Sequence, residues 1–544
     1  MTRRTLSVGS LWSVAVGLTL LAPAVGAQVP TSDRSRDAGL DGPEAQVFLN
    51  ALQAVHRMHM EAFSDSALWT AALDGMIKGL HDPYAAVFTP REAAAFEEET
   101  TGNYAGIGVQ ITPLNDRITI TAVFRGTPAE QIGLQVGDHI VGVDGDDARD
   151  WTTDSAAVRI RGPAGSQVEV LIERQGLDEP VPYTITRGEV HIPAVNYGLL
   201  DNGVAYVLLD RVARNAASEM DSALRRLSGA RGLIIDLRRN PGGYLDESLM
   251  LADIFLQPGS TLARTVQRKP GEPADSVARE SYTDRWPARV PDLPIVVLVD
   301  RFTASGAEIL AGALQDYDRA VVLGERSFGK GLVQTVLRMP FGRRLRFTTG
   351  TWQTPLGRSL HRPRDLQGRP LPENLDTLPR VRTAHGRELL NGGGIFPDLP
   401  LPNDTLKLAE RAFLNAANAA KAPVGRRIAE YAFEEAQARR VRGGAAGVEP
   451  ARFQALLERL RQDGLPRETL ADSVVDAYLN WRVRLAVAQR MDDVGREAEF
   501  RRERDPVLDE AVRLLGDAPT QADLFAAVQR ARDAMETRGQ AGGP

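Results

Sequence analysis

A serine and a lysine, each placed just beyond an apolar run, open a route to nucleophilic catalysis in this chain. Phe302-Thr303-Ala304-Ser305-Gly306-Ala307-Glu308 follows Ile295-Val296-Val297-Leu298-Val299, and Ser327-Phe328-Gly329-Lys330-Gly331-Leu332-Val333-Gln334 follows Ala320-Val321-Val322-Leu323. Both apolar runs read as buried strands. Ile309, Leu310, Ala313 and Leu314 then recur at helical spacing, so Ser305 stands where a strand gives way to a helix. Lys330 lies on a glycine-flanked segment past the next strand. A serine becomes a nucleophile only when a base takes its proton. The seven histidines form no evident partner for Ser305, which leaves a lysine as the candidate. Burial would suit Lys330 to the task, because the ammonium form is disfavoured away from water. Taken singly, these residues say little. A serine opening a helix is usually an N-cap, and a lysine between glycines is usually a solvated loop residue.

The combination and its spacing resemble the C-terminal processing peptidases, also called tail-specific proteases. Position by position, the resemblance implies Ser305 as nucleophile, Lys330 as general base and Gln334 as the residue that orients the lysine. One departure is visible: the family's Ala-Ser after the nucleophile is Gly306-Ala307 here. It removes no implied catalytic group and places the capping of the helix on Ser305 itself. Upstream, the apolar run Gly232-Leu233-Ile234-Ile235-Asp236-Leu237 ends in Arg238-Arg239-Asn240-Pro241-Gly242-Gly243, a tight turn whose glycines allow close approach of a ligand. In the family this turn lies opposite the nucleophile and donates to the oxyanion. The resemblance therefore implies Gly242 or Gly243 as one donor, with the Gly306 amide as the second. Such donors are worth about 2.7–4 kcal/mol each in acyl transfer.

Other chemistries fit less well. Ser327-Phe328-Gly329-Lys330 matches Ser-x-x-Lys, the nucleophile motif of penicillin-binding proteins, but the companions Ser-Asp-Asn and Lys-Thr-Gly occur nowhere in the chain. The glycines around Lys330 also oppose the helix that motif needs. Gly324 to Lys330 nearly forms a phosphate-binding loop, but Gly331 stands where a hydroxyl should hold magnesium. From a different class, an inactive PDZ-containing envelope adaptor would retain the fold without needing Ser305, Lys330 and Gln334 together.

Residues 101–190 look like a PDZ module. In Tyr104-Ala105-Gly106-Ile107-Gly108-Val109-Gln110-Ile111 a glycine loop precedes a strand. Such a loop can aim backbone N–H groups at a peptide's terminal carboxylate while the strand edge pairs with its backbone. Gly106, Ile107, Gly108 and Val109 are the expected contacts. The segments Gly126 to Leu134, Gly137 to Gly145 and Arg161 to Ser166, with alternating Val168, Val170 and Ile172, match the rest of such a module. Arg161 corresponds to a position that in some relatives couples tail capture to the protease site.

The elements around these motifs set the expected architecture: a multidomain α/β protein, with a crotonase-like βαβ serine-lysine protease core and an inserted PDZ domain. Residues 1–27, with Arg3, Arg4, an apolar stretch from Leu11 to Ala22 and Val25-Gly26-Ala27, read as a signal peptide cleaved after Ala27. The expected location is the periplasm or envelope of a bacterium, membrane-associated if the segment stays uncleaved. Residues 28–43 read as a linker and 44–100 as an N-terminal helical segment. Within it, Phe48, Ala51, Leu52, Val55 and Met58 form one stripe, and Trp69, Ala72, Leu73, Met76, Ile77 and Leu80 a second, capped by Ser64 or Ser66. Asp82-Pro83-Tyr84 resembles a family signature, although a helix stop at Asp-Pro accounts for it without chemistry. The protease core spans 191–403, with an aperiodic excursion at 361–384. Residues 404–544 read as a helical domain carrying stripes such as Phe453, Leu456, Leu457 and Leu460, and ending in a frayed Gly-Gln-Ala-Gly-Gly-Pro. That domain would pack on the core, bind an adaptor or form a homo-oligomer. The chain has no cysteine, which excludes thiol catalysis and disulfides, and a net charge of −6 gives no footprint for nucleic acid. The expected partners are proteins or peptides with free, apolar C-termini. The implied reaction needs neither a metal nor an organic cofactor.

Overall fold

The computed structural model describes residues 42–541 other than 274 and 404. The proposed signal segment and residues 28–41 of the linker lie outside the described residues. Pro43, read as linker, instead opens helix α1 (Pro43–Met58), where its missing N–H costs nothing. Ser64 caps α2 (Asp65–Gly79) by accepting from the Ala67 N–H. The apolar stripes of both helices exist but are largely unused. No residue of α1 is buried, only Ile77 of α2 is, and Phe48, Met58, Trp69 and Met76 stand exposed. A short strand β1 (Ala86–Phe88) and α3 (Pro90–Thr101), closed by a Thr89/Glu92 capping box, complete this segment.

The inserted module is bounded by β2 (Asn103–Gly106) and β9 (Gly188–His191), which pair antiparallel so that entry and exit lie side by side. Between them run β3 (Val109–Leu114), β4 (Arg117–Val123), α4 (Pro128–Gln131), β5 (His139–Val143), β6 (Asp146–Asp147), α5 (Thr153–Ile160), β7 (Gln167–Glu173) and β8 (Val181–Thr186). Their sheet has the order β3-β4-β5-β7-β8, with β6 on β5. Strand β3 is therefore an edge, and α5 lies beside it.

The core contains β10 (Val195–Leu199), β11 (Val204–Leu209), α6 (Ala216–Arg226), β12 (Gly232–Asp236), α7 (Leu245–Asp253), β13 (Thr261–Arg268), β14 (Val277–Thr283), β15 (Ile295–Val299), α8 (Gly306–Asp316), β16 (Val321–Gly324), β17 (Leu332–Arg338), β18 (Arg344–Gln353), β19 (Arg380–Arg382), β20 (Glu388–Leu390) and β21 (Leu399–Pro400). A six-stranded sheet has the order β10-β11-β12-β15-β16-β21 and is parallel from β11 onward. Parallel sheets need cover on both faces, and alternation along each strand supplies two apolar surfaces. Leu233, Ile235, Val297 and Val322 face the cluster containing residues of α6, α7 and α8. Ile234, Val296, Leu298 and Leu323 face the opposite cluster. Beside this sheet, β1, β18, β13 and β14 form an antiparallel sheet to which β17 adds on β18.

The second face of the parallel sheet is covered from the C-terminal segment. Its helices are α9 (Leu408–Ala420), α10 (Val424–Arg442), α11 (Pro450–Gln462), α12 (Arg467–Ala471), α13 (Ser473–Arg490), α14 (Val494–Arg502), α15 (Pro506–Asp517) and α16 (Gln521–Ala541). Val507, Leu508, Ala511, Val512 and Leu515 of α15, with Leu524 and Val528 of α16, complete the cluster on that face. Helices α9 to α13 build a core of their own around Phe413, Tyr431, Phe453, Leu456, Leu460 and Leu479. This subdomain also reaches the inserted module: Arg426 donates to Asp116 at 2.6 Å, and the Asn115 N–H to Glu430 at 3.3 Å. Helix α16 continues through Gly539, Gln540 and Ala541, which the sequence suggested would fray.

Candidate active site

Ser305 is the residue before α8 and is held at φ 58°, ψ −116°, a conformation costing a non-glycine residue on the order of 1–3 kcal/mol. The surroundings over-determine it. Asp300 Oδ1 accepts from the Arg239, Phe302 and Thr303 N–H groups at 2.9, 3.0 and 3.0 Å. The Thr303 hydroxyl donates to the Leu237 carbonyl at 2.8 Å, and the Ala304 N–H to the Asn240 carbonyl at 3.0 Å. Ser305 is fully buried, and its Oγ has no hydrogen-bond partner. It does not cap its own helix. The cap is Glu308, whose Oε2 accepts from the Ser305 N–H at 2.7 Å.

Glu308 does more than cap. Its Oε2 also accepts from the Lys330 N–H at 2.8 Å, and its Oε1 accepts from the Gly329 N–H at 2.7 Å and the Ser327 hydroxyl at 2.5 Å. One fully buried carboxylate thus ties the start of α8 to the lysine segment. Burial raises its pKa above the usual carboxyl range, and these donors, which favour the charged form, hold that rise back.

Lys330 is fully buried too. Burial, and secondarily the Arg346 charge, push its amine well below the usual lysine value, against smaller opposing effects of Asp82 and Glu308. Its Nζ donates to Gln334 Oε1 at 2.9 Å and lies 4.6 Å from the centre of the Tyr84 ring. Gln334 sits where the β17–β18 register shifts, the extra residue, Thr349, lying on β18. Its Nε2 donates to the Tyr84 carbonyl at 3.3 Å, which fixes the amide so that its oxygen faces the lysine. The same carbonyl accepts from Arg346 Nε at 3.0 Å. Asp82 holds this strap: its Oδ2 accepts from the Thr348 N–H and its Oδ1 from the Tyr84 N–H, both at 2.9 Å. Asp82-Pro83-Tyr84, read from sequence as a helix stop, therefore forms a wall of the lysine pocket.

Across from Ser305 lies the Asn240–Gly243 turn. Gly242 has φ 91°, and a Cβ there would stand 2.6 Å from the Ala304 carbonyl oxygen and 2.8 Å from Ser305 Cβ. No other residue type fits that contact without displacement. The Gly242 N–H is committed to Asn240 Oδ1 at 2.8 Å. No backbone or side-chain acceptor among the described residues engages the amides of Gly243 or Gly306. Of the two glycines the sequence left open, geometry leaves Gly243 free to donate beside Gly306.

The structure thus brings together Ser305, Lys330, Gln334, Gly242, Gly243 and Gly306. No hydrogen bond joins Ser305 Oγ to Lys330 Nζ in this state. Ser327 is engaged as donor to Glu308 and as acceptor from the Ile395 N–H at 2.6 Å, and Lys330 is not helical, which opposes the Ser-x-x-Lys reading. In the inserted module, Gly106, Ile107, Gly108 and Val109 line a groove of about 530 Å³ between β3 and α5, with Phe124, Ala157 and Ile160 as further apolar walls. Arg161 lies at its edge, paired with Glu98 at 2.8 Å and 4.9 Å from the Tyr104 ring centre. It is outside the Ser305–Lys330 cluster. Sequence reasoning passed over Glu308 and Tyr84. The Ser-x-x-Glu spacing of a capping box was the available signal for the first. For the second, only the Asp-Pro-Tyr resemblance pointed there.

Comparison with known proteins matches residues 203–365 to the profile of peptidase family S41 and residues 96–173 to that of the PDZ domain. A carboxyl-terminal-processing protease of Synechocystis sp. is 36% identical over 299 residues, covering 54% of this chain and 68% of that protein. A probable CtpA-like serine protease of Staphylococcus saprophyticus is 30% identical over 355 residues, covering 64% and 70%. Among solved structures, a photosystem II D1 C-terminal processing protease is 26% identical and covers 66% of this chain and 93% of that one, with a TM-score of 0.35.

Glu308→Gln replaces one acceptor oxygen with an amide donor that faces other donors, leaving buried groups unpaired at about 1–3 kcal/mol each. Amide hydrogen exchange should accelerate at residues 327–331 and at the start of α8, with the inserted module unchanged. Wild-type protection in both segments would show that Glu308 does not hold them together.

Proposed function

Because the chain belongs to peptidase family S41, as a carboxyl-terminal-processing serine protease with a PDZ domain, we propose that Ser305 is its nucleophile and Lys330 its general base. The observation that carries this reading is the pairing of a buried, unpartnered serine hydroxyl with a buried lysine whose pKa burial lowers. Ser305 Oγ attacks the scissile carbonyl carbon while its proton passes to Lys330 Nζ. The oxyanion receives the N–H groups of Gly243 and Gly306. Lys330 then returns the proton to the leaving amine as the C–N bond breaks, and the acyl group stays on Ser305. Water, deprotonated by Lys330, attacks the acyl carbonyl; the Ser305 ester bond breaks, and the proton returns to Oγ. Gln334 accepts from Nζ and keeps the amine in place throughout. The hydroxyl–amine contact is not made in the present state, and catalytic hydrogen bonds commonly tighten only with substrate bound.

The substrate is a protein with a free apolar C-terminal tail. The tail pairs as an added strand on the β3 edge, its carboxylate at the Ile107 and Gly108 amides and its last side chain against Val109, Phe124 and Ile160. Arg161, bound to Glu98, links that groove to α3 of the N-terminal segment. Residues 1–27 direct export to the bacterial envelope, where a cysteine-free chain is chemically at home. No helix among the described residues is long and apolar enough to cross a membrane.

Ser305→Ala should abolish cleavage of an unstructured, apolar-tailed protein without loss of tail binding. Lys330→Arg should be nearly as damaging as Lys330→Ala, since guanidinium stays protonated. Because the neutral amine is the base and burial lowers its pKa, the wild-type rate should rise with pH through a limb below the ordinary lysine value of about 10.4. Activity in Ser305→Ala, or an active arginine variant, would overturn the assignment.

Amidating the substrate's C-terminus removes the charge that the glycine loop binds. Cleavage should fall with little change for a substrate cut independently of its tail. Equal rates for free-acid and amidated tails would take the groove out of the mechanism.

A further inference from the structure

The C-terminal helical segment does more than cover the sheet. The strand β12 ends in Asp236, and Leu237, Arg238 and Arg239 lead from it to the Asn240–Gly243 turn. Arg238 Nε and Nη2 donate to the two oxygens of Asp236 at 2.9 and 2.7 Å. Its remaining nitrogen, Nη1, reaches Asp505 Oδ2 at 2.7 Å. Asp505 lies just before α15, and its Oδ1 accepts from the Leu508 N–H at 3.0 Å. The Arg238 and Asp505 side chains are each 12% exposed, so neither charge has easy recourse to water. Asp236 also accepts from the Tyr206 hydroxyl at 2.8 Å, which in turn accepts from Arg501 Nη1 at 2.9 Å. The guanidinium is thus forked onto its own strand and closed from the other side by a residue far along the chain.

What Arg238 holds is the backbone leading into the oxyanion turn. The Arg239 N–H is bound by Asp300, the Asn240 N–H donates to the Leu237 carbonyl at 3.1 Å, and the Asn240 carbonyl accepts from the Ala304 N–H beside Ser305. Asn240 Oδ1 takes the Gly242 N–H, and Asn240 Nδ2 donates to the Leu209 carbonyl at 2.8 Å. A shift at Arg238 is therefore passed through Asn240 to Gly243, whose amide must point at a developing charge.

We propose that Asp505 is a positioning residue for the oxyanion turn, acting through Arg238. This rests on the reading of Gly243 and Gly306 as oxyanion donors. Neutralising Asp505 leaves a buried guanidinium nitrogen without its carboxylate, and a buried charge missing one partner relaxes toward water, taking the start of the turn with it. The transition state feels that displacement more than the bound ground state does.

Asp505→Asn is the discriminating variant, because asparagine caps a helix about as well as aspartate while the charge is lost. With the full chain and a free-acid, apolar-tailed substrate, kcat should fall about tenfold, within the range of coupled neighbours, at unchanged KM. Asp505→Glu should recover most of the loss. In an Arg238→Gln background Asp505→Asn should add nothing. Leu508→Ala, which weakens the packing of α15 without touching the ion pair, should lower the urea midpoint and leave kcat in place. Wild-type kcat in Asp505→Asn, losses that multiply with Arg238→Gln, or an equal kcat loss in Leu508→Ala would each overturn the proposal. The underlying reading fails separately: cleavage by Ser305→Ala refutes the site itself, whereas an inactive Ser305→Ala beside a fully active Asp505→Asn refutes only the role of Asp505.

Discussion

Four donors converge on the buried carboxylate of Glu308, and the rest of the site hangs on that convergence. The start of α8 and the segment carrying Lys330 come from successive strands of the parallel sheet; a backbone bond from the Phe328 N–H to the Thr303 carbonyl at 2.9 Å joins the two loops, and one buried side chain ties them together at the site itself. Glu308 does so by taking the amides of Ser305 and Lys330 on one oxygen and the Gly329 amide and Ser327 hydroxyl on the other. Its bond to the Ser305 amide supports the strained serine backbone and leaves the Ser305 hydroxyl uncommitted. An acid that also bound the serine side chain would have occupied that hydroxyl. The Gly306-Ala307 departure from the family's pattern leaves this arrangement intact, because the cap was never the serine's task.

Much of this was legible in the sequence because local rules and global architecture agree there. The apolar runs before Ser305 and Lys330 are β15 and β16, and the helical spacing after Glu308 is α8. The glycine-rich turn after β12 faces Ser305. Other parts were not legible, for physical reasons. The stripe on α1 has the period of a buried face, but periodicity does not say what covers a face, and among the described residues nothing buries it. The composition after residue 404 announced helices without revealing that α15 and α16 complete the second face of a parallel sheet lying some 200 positions earlier. Gln334 could be placed on a strand by pattern, but pattern alone does not show that its amide oxygen meets the lysine amine at 2.9 Å. Tyr84 looked like punctuation because Asp-Pro ends helices in any context, and its carbonyl orients Gln334 through a contact spanning 250 positions.

The electrostatic design is one of opposed tendencies. Lys330 lies in a place that penalises its charge, and Arg346 adds to that penalty. The Gln334 oxygen and the Tyr84 ring face favour the ammonium, as a base needs once it has taken a proton. A residue poised between those tendencies can accept a proton from serine and later release it. The C-terminal segment also meets the inserted module directly. Contacts such as Arg426 with Asp116 tie them to one another, so the inserted module and the α9–α13 subdomain share an interface.

The most direct measurement of the central claim exploits the absence of cysteine from the chain. Lys330→Cys carries a single thiol, which aminoethylation converts to a thioether analogue of lysine with a lower intrinsic amine pKa, its completion verified by mass. The unmodified variant should be inactive. Aminoethylation should restore cleavage, with the rising limb of the pH–rate profile displaced to lower pH relative to wild type. Restored activity with an unmoved limb, or full activity in the unmodified Lys330→Cys variant, would contradict the assignment of Lys330 as the base.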